Sequence, residues 1–171
     1  CLEWLDGHAA PATLLDYGTV YTWANYSYAD RDAMGDVLAD YVDAGGQVVL
    51  GQWCLPTAGN FLGGRIMNPD EGYLPVSGTS WGSGDYAGDG EGCFTTDVVS
   101  WSSPYRDNAS LLDGAVTDGT YTDGTPFSAY FEGGRVAYYP GALPGFGTGD
   151  ISQWVANATG CFVTCTDCNG N

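Results

Sequence analysis

A strand–helix–strand pattern occupies residues 19–53. Residues 19–23 (TVYTW) are β-branched and aromatic, which is typical of a buried strand. Asp30 then stands where a helix N-cap is expected, and apolar residues follow at helical spacing until the pair Gly45-Gly46, where the helix is expected to end. A second apolar run, residues 47–53, comes next. Two strands joined by a helix within about 35 residues predict a parallel pair in an α/β sheet.

The rest of the chain is divided by a glycine-rich segment, residues 56–104, which we expect to be a long loop with short strands at 72–76 and 94–99. Residues 115–121 then indicate a strand, and residues 127–131 and 135–139 indicate a hairpin. A last helix is expected over 149–158, with Asp150 near its start. The sequence therefore predicts one α/β domain over residues 1–160 and a cysteine-rich tail over 161–171.

The charge of the chain excludes several function classes. It has 21 acidic residues against four basic ones, all arginine, and a net charge of -17. Without lysine, Schiff-base and P-loop lysine chemistry are absent. A surface this acidic is repelled by phosphate backbones and anionic lipid, so we expect no nucleic-acid partner and no membrane insertion.

Six cysteines in a lysine-free chain favour disulfides and an extracellular or cell-surface location. We expect Cys54 to pair with Cys93, since they lie near the two ends of the long loop. The other cysteines are expected to bond within the tail or to the first residue; they are Cys1, Cys161, Cys165 and Cys168.

Five segments together resemble one known family. They are residues 7–13 (GHAAPAT), 20–26 (VYTWANY), 38–50 (LADYVDAGGQVVL), 134–139 (GRVAYY) and 154–158 (WVANA). Their order resembles the flavodoxin-like domain of the class I glutamine amidotransferase-like superfamily, in particular its non-catalytic, ThuA-like branch. The resemblance implies a flavodoxin-like parallel sheet, here with an added C-terminal β-hairpin, a long glycine-rich loop and disulfides.

The same resemblance implies a gap in the sheet. Members of the superfamily have a strand and a helix before the point where this chain begins, so that residues 2–5 match their second strand. The central strand would then come from a longer polypeptide or from another chain, including a copy of this one.

The sequence predicts no catalytic residue. Cys54 lacks the Gly-x-Cys-x-Gly surroundings of an amidotransferase nucleophile, and the single histidine, His8, lies upstream of it. Residues 78–82 (GTSWG) match the esterase pattern G-x-S-x-G, but no histidine follows them. The C-x3-C-x2-C spacing of the tail matches radical-SAM enzymes without the barrel that such enzymes need.

Polar and aromatic residues follow the two parallel strands and form a candidate ligand site. In open α/β sheets ligands bind outside the carboxyl ends of the strands. The candidate ligand-binding residues are Trp23, Asn25, Gln52, Trp53 and, in the long loop, Trp81. Further aromatic candidates in the loop are Tyr73, Tyr86 and Trp101, and aromatic faces of this kind stack on sugar rings.

Four Asp-Gly pairs and the sequons suggest two further sites. The pairs begin at Asp89, Asp113, Asp118 and Asp123 and are equally typical of calcium loops and of turns. Asn25, Asn108 and Asn157 head sequons, and Asn108 and Asn25 are the candidate glycosylation sites.

We therefore expect a non-catalytic extracellular structural or interaction module without a cofactor, with self-association into a larger polymer as an extension of that function. Two alternatives stay open. One is a ThuA-like protein that binds or processes carbohydrate, and the other is a calcium-dependent adhesin.

Overall fold

A computed structural model describes residues 11–141 and 145–164 of the 171-residue chain. Its helices are α1 (Pro11–Leu14), α2 (Arg31–Asp43) and α3 (Ile151–Thr164), with short 3-10 helices at Arg65–Met67 and Pro69–Glu71. The strands are β1 (Thr19–Thr22), β2 (Gln47–Leu50), β3 (Val76–Ser77), β4 (Trp81–Asp85), β5 (Trp101–Asp107), β6 (Ser110–Leu111), β7 (Ala115–Thr117), β8 (Ala129–Phe131), β9 (Val136–Tyr138) and β10 (Thr148–Gly149). None of the helices in these ranges is both long and apolar enough to cross a bilayer.

The central sheet has five strands in the order β1-β2-β9-β8-β7. Strands β1, β2 and β9 are parallel, with Val48 of β2 opposite Val20 on one side and Val136 on the other. Strand β8 runs antiparallel to both β9 and β7. The predicted α/β class, the parallel pair and the late hairpin are therefore confirmed.

Helix α2 forms where the apolar spacing predicts it. The Asp30 carboxylate caps the first turn by accepting from the backbone N–H groups of Asp32 (3.2 Å) and Ala33 (3.0 Å). Beyond the last turn Gly45 adopts a left-handed φ of 99°, which ends the helix. One face of α2 is buried, and its aspartates lie on the exposed face, so part of the negative charge is a solvated surface.

Successive side chains of a strand point to opposite faces of the sheet, so the sheet has a hydrophobic core on each side. Val48 and Leu50 of β2 point toward α2, and Val49 points to the other face, where α3 packs. Trp154 of α3 is fully buried there and stacks on Tyr139, with ring centroids 4.6 Å apart. The carboxyl ends of the parallel strands are thus held between two helical layers.

The glycine-rich segment contains more structure than its composition indicates. Strand β4 pairs with β5, and β5 pairs with β10, in a second sheet. Gly84 lies directly over the buried side chain of Arg106, where a β-carbon would come within 2.4 Å of the guanidinium Nε. Glycine is therefore required at this position of β4, although glycine is otherwise rare in strands.

The prediction of a strand over residues 94–99 is wrong. Residues 93–97 form turns instead, where the buried Asp118 carboxylate accepts the backbone N–H groups of Gly92, Phe94 and Thr95. Donors used in this way are not available to a strand ladder. The strand expected at 72–76 is reduced to β3, which begins at Val76.

The expected Cys54–Cys93 disulfide is also wrong. Cys93 bonds to Cys161 in α3, and Cys54 is a buried free thiol. The sheet separates the two groups, since Cys54 lies in the core on the α2 side and Cys161 in the core on the α3 side. Cys161 therefore does not bond to the tail or to Cys1, and it belongs to a helix. Cys1, Cys165, Cys168 and the strand expected at residues 2–5 lie outside the described residues.

Two helical glycines provide a test of the packing. A methyl group at Gly35 of α2 would lie 1.8 Å from the carbonyl oxygen of Gly63, whereas one at Gly160 of α3 would meet nothing within 4 Å. We expect Gly35→Ala to lower the free energy of unfolding by about 1–3 kcal/mol. Gly160→Ala should raise it by roughly 0.5–1 kcal/mol, because alanine favours the helix. Urea unfolding of both variants measures the difference, and equal stability would contradict the close contact.

Candidate ligand-binding site

A pocket of about 240 Å³ opens at the carboxyl ends of the parallel strands. Trp23 and Asn25 line it from the segment after β1, and Gln52 and Trp53 line it from the turn after β2. Tyr105 of β5 and Phe146 complete the wall. The structure thus brings together four of the five residues that the sequence marks as candidate ligand contacts, and Trp81 lies outside the pocket.

The turn after β2 has an unusual backbone. Trp53 adopts a φ of 64°, a left-handed conformation that is costly for a bulky side chain. Its N–H donates to Asp107 Oδ2 (2.8 Å), and the Ala24 N–H donates to the carbonyl oxygen of Gln52 (3.1 Å). These bonds from neighbouring segments keep the indole of Trp53 at the pocket.

Asp107 is the buried group on which this turn depends. Its carboxylate is fully buried and accepts from the hydroxyls of Tyr138 and Thr57 as well as from Trp53. Burial disfavours the charged form and raises the pKa of Asp107 to about 6, although the three donors act in the opposite direction. All of its contacts are internal, so Asp107 positions Trp53 and does not face the pocket.

The raised pKa of Asp107 makes stability depend on pH. The unfolded pKa is about 3.9, so between pH 4 and 6 the folded state binds more protons than the unfolded one. The extra stability that comes from protonating Asp107 is present at low pH and is lost as pH rises through about 6, while its hydrogen bonds to Trp53, Thr57 and Tyr138 remain. We expect this extra stability to increase by about 1 kcal/mol when pH falls from 7 to 5. Unfolding free energies of wild type and Asp107→Asn across this range measure the effect, and parallel curves would contradict it.

Gln52 carries an unpaired polar group beside the pocket. Its side chain is only 5 % exposed, and its Nε2 has no hydrogen-bond partner among the described residues. The Nε1 of Trp53 is likewise buried without a partner. An unpaired buried donor costs about 1–3 kcal/mol, so a ligand oxygen that reaches these groups would gain that interaction.

The aromatic side chains beside the pocket form a continuous row. The ring centroids of Trp53 and Tyr105 are 5.8 Å apart, and those of Tyr105 and Trp81 are 6.0 Å apart. Trp81 is 51 % exposed and Tyr105 is 41 % exposed. Of the other aromatic candidates, Tyr86 and Trp101 are buried in the α3-side core, and the Tyr73 hydroxyl donates to Asp43 Oδ1 (2.7 Å).

Three residues of the site have no signal in the sequence. Tyr105, Asp107 and Phe146 reach the pocket region only because β5 and the segment before β10 fold back over the carboxyl ends of β1 and β2. They are distant in the sequence from residues 23–53, so no local sequence pattern identifies them as part of the site.

Cys54 is not arranged as a nucleophile. Its thiol donates to the carbonyl oxygen of Thr22 (3.7 Å) and lies 3.8 Å from the hydroxyl of Tyr28. Burial raises the pKa of the thiol to about 12, so the thiolate is not populated near neutral pH.

This environment predicts that Cys54 resists modification. We expect native wild-type protein and Cys54→Ala to bind the same amount of a thiol reagent at pH 8. In denaturant the wild type should bind one equivalent more. A native difference of one equivalent would contradict the burial of this thiol.

Three of the four aspartates suggested as calcium ligands accept hydrogen bonds from within the protein. Asp89 accepts from the N–H and hydroxyl of Thr120, Asp118 from the turn at residues 92–95, and Asp123 from Arg106. No three His, Cys, Asp or Glu residues in the described ranges lie close enough to hold a metal ion. Asp113 precedes Gly114, which like Gly119 and Gly124 has a positive φ, so these pairs form turns.

The sequon asparagines lie in different environments. Asn108 is exposed after β5, where its Nδ2 donates to Ser80 Oγ (3.1 Å), while Asn25 lines the pocket. Asn157 donates to the carbonyl oxygens of Phe94 (3.1 Å) and Thr96 (2.6 Å). Asn108 is therefore the accessible acceptor, and its glycosylation stays a prediction.

No family model matches this chain, and no curated protein matches it in sequence. Several solved structures are similar in fold, and three of them are described below. Cytoplasmic protein STM1381 from Salmonella typhimurium LT2 has a TM-score of 0.55 at 13 % identity, and the match covers 92 % of this chain and 74 % of that protein. A catalytic mutant of Gan42B, a GH42 beta-galactosidase from G. stearothermophilus, has a TM-score of 0.51 at 16 % identity, and the match covers 74 % of this chain but only 19 % of the enzyme.

The third structure is a putative ThuA-like protein from Bacteroides uniformis ATCC 8492. Its TM-score is 0.52 at 14 % identity, and the match covers 96 % of this chain and 76 % of that protein. Identities this low show a shared fold and nothing about activity. The mixed α/β fold of this chain is thus similar to that of a ThuA-like protein, as the sequence motifs predict.

Proposed function

We propose that this chain is a non-catalytic carbohydrate-binding module of a secreted or cell-surface protein, built on a flavodoxin-like, amidotransferase-like domain. The observation that carries the proposal is the pocket at the carboxyl ends of the parallel strands. There the indoles of Trp23 and Trp53 meet the amides of Asn25 and Gln52.

The chemistry of this lining suits a neutral sugar. A sugar ring presents C–H groups that pack on aromatic faces, and its oxygens accept from amide and indole N–H groups. Gln52 Nε2 and Trp53 Nε1 have no hydrogen-bond partner in the part of the chain that the structure describes, so a sugar oxygen that reaches them would pair them. The net charge of -17 disfavours acidic sugars and phosphates.

Two features support binding without a reaction. Glycoside hydrolysis requires a pair of carboxyl groups flanking the bond, and the six residues that line the pocket include neither aspartate nor glutamate. The carboxylate near the site, Asp107, is engaged by three internal donors.

The Cys93–Cys161 disulfide supports an oxidising, extracellular setting.

A Gln52→Leu variant tests the proposal on an array of neutral oligosaccharides. Leucine removes the unpaired amide from a site that is almost fully buried, so the stability of this variant should equal or exceed that of the wild type. Sugar binding should be lost. The matched control, Gln153→Leu on the exposed side of α3, should bind as the wild type does. Absence of any neutral ligand, or equal binding by both variants, would overturn the proposal.

A second candidate function, assembly with other chains, rests on strand β1. It pairs with β2 on one side, and no strand within residues 11–141 and 145–164 pairs with its other side. Its side chains contribute to both cores, Val20 toward α2 and Tyr21 toward α3, as those of an interior strand do. A strand from a copy of this chain, from another protein or from residues 2–5 would complete this edge.

Native mass spectrometry tests this candidate. We expect oligomers of the wild type and monomers of Thr19→Pro, since proline on an edge strand blocks addition of a further strand. A wild type that is monomeric at all concentrations would contradict assembly of this chain with itself.

A further inference from the structure

The aromatic row of Trp53, Tyr105 and Trp81 extends away from the pocket along the protein surface. Its successive ring centroids are 5.8 and 6.0 Å apart, and Tyr105 and Trp81 are 41 % and 51 % exposed. Single exposed apolar side chains are common on soluble domains, whereas a contiguous exposed apolar patch marks a binding surface. The row begins at a pocket residue, so pocket and row form one surface.

The pocket is too small to account for this surface. Its volume of about 240 Å³ is below the roughly 300–1,000 Å³ of pockets that enclose drug-sized ligands. A ligand that fills it with one ring and follows the aromatic row beyond it lies across Tyr105 and Trp81.

We infer that the site binds an unbranched, neutral oligosaccharide, with one terminal sugar in the pocket beside Gln52 and the following sugars stacked along the aromatic row. This inference rests on the proposed function and adds the length of the ligand to it. The structure assigns Trp81 as a ligand contact that the pocket alone does not include.

The geometry of the row also selects the form of the polymer. The ring planes of Trp53 and Tyr105 are inclined by 49°, and those of Tyr105 and Trp81 by 59°. Rings inclined in this way cannot lie together on a flat crystalline surface. They suit a single soluble chain that twists along its length.

Calorimetric titration with soluble 1,4-linked glucose, galactose and mannose oligomers of one to six units tests the inference. In at least one series the affinity of the wild type should rise with length, by about tenfold between the monomer and the tetramer. Trp81→Ala should remove most of that rise and leave the affinity for the shortest ligand unchanged. Val99→Ala, which shortens an even more exposed apolar side chain outside the row, should match the wild type.

The outcomes separate this inference from the proposed function. If sugars bind with Gln52-dependent affinity that does not change with length, or if Trp81→Ala retains the full rise, the inference is wrong and the proposed function stands. If none of the oligomers binds and the array shows no other neutral ligand, both are wrong.

Discussion

Replacing both Cys93 and Cys161 by serine is expected to lower the free energy of unfolding by about 4 kcal/mol. The two cysteines are 68 residues apart in the sequence, so the bond closes a long loop in the unfolded chain and removes much of its conformational entropy. In the folded protein the same bond ties the turn at residues 92–95 to α3. Urea unfolding of the wild type and the double variant measures the loss.

The single variants provide the control for this prediction. Cys93→Ser and Cys161→Ser each break the same bond, so each should cost nearly as much as the double variant. Additive losses, with the double variant costing twice as much as either single one, would show that the two sulfurs do not bond to each other.

Replacing Asp107 by alanine is expected to lower the free energy of unfolding by roughly 3 kcal/mol at pH 7. The substitution removes a fully buried acceptor from three donors, which are the hydroxyls of Thr57 and Tyr138 and the N–H of Trp53 in its left-handed turn. Without that bond the turn is free to relax, and the indole moves from the pocket wall. We therefore expect weaker sugar binding as well as lower stability.

The matched control is Asp85→Ala on β4, where the side chain is exposed. Its effect on stability should be within about 0.5 kcal/mol. Urea unfolding and sugar titration of both variants measure the two effects. An Asp107→Ala variant that is as stable as Asp85→Ala would contradict the positioning function of this carboxylate.

Local patterns in the sequence predict the parallel pair, helix α2 and the late hairpin. The apolar spacing and the capping residues that indicate these elements lie within short stretches of the sequence. They also predict four pocket residues. The carboxyl ends of neighbouring parallel strands always meet at one edge, so residues that follow β1 and β2 must lie near each other.

What the sequence does not predict depends on distant contacts. The pairing of Cys93 with Cys161 follows from which side of the sheet each residue occupies, and spacing alone does not determine it. Residues 94–99 have the composition of a strand, but the N–H groups of Phe94 and Thr95 donate to Asp118, which lies in another segment. Tyr105 and Phe146 line the pocket because the chain folds back over it, and no local periodicity in the sequence predicts that contact.

A crystal structure of the protein with an oligosaccharide that binds in solution would show whether the pocket beside Trp23 and Gln52 holds a sugar. We predict a sugar ring against Trp23 and Trp53, with one of its oxygens within hydrogen-bond distance of the Gln52 amide. A sugar bound only at another surface, with this pocket occupied by water alone, would contradict it.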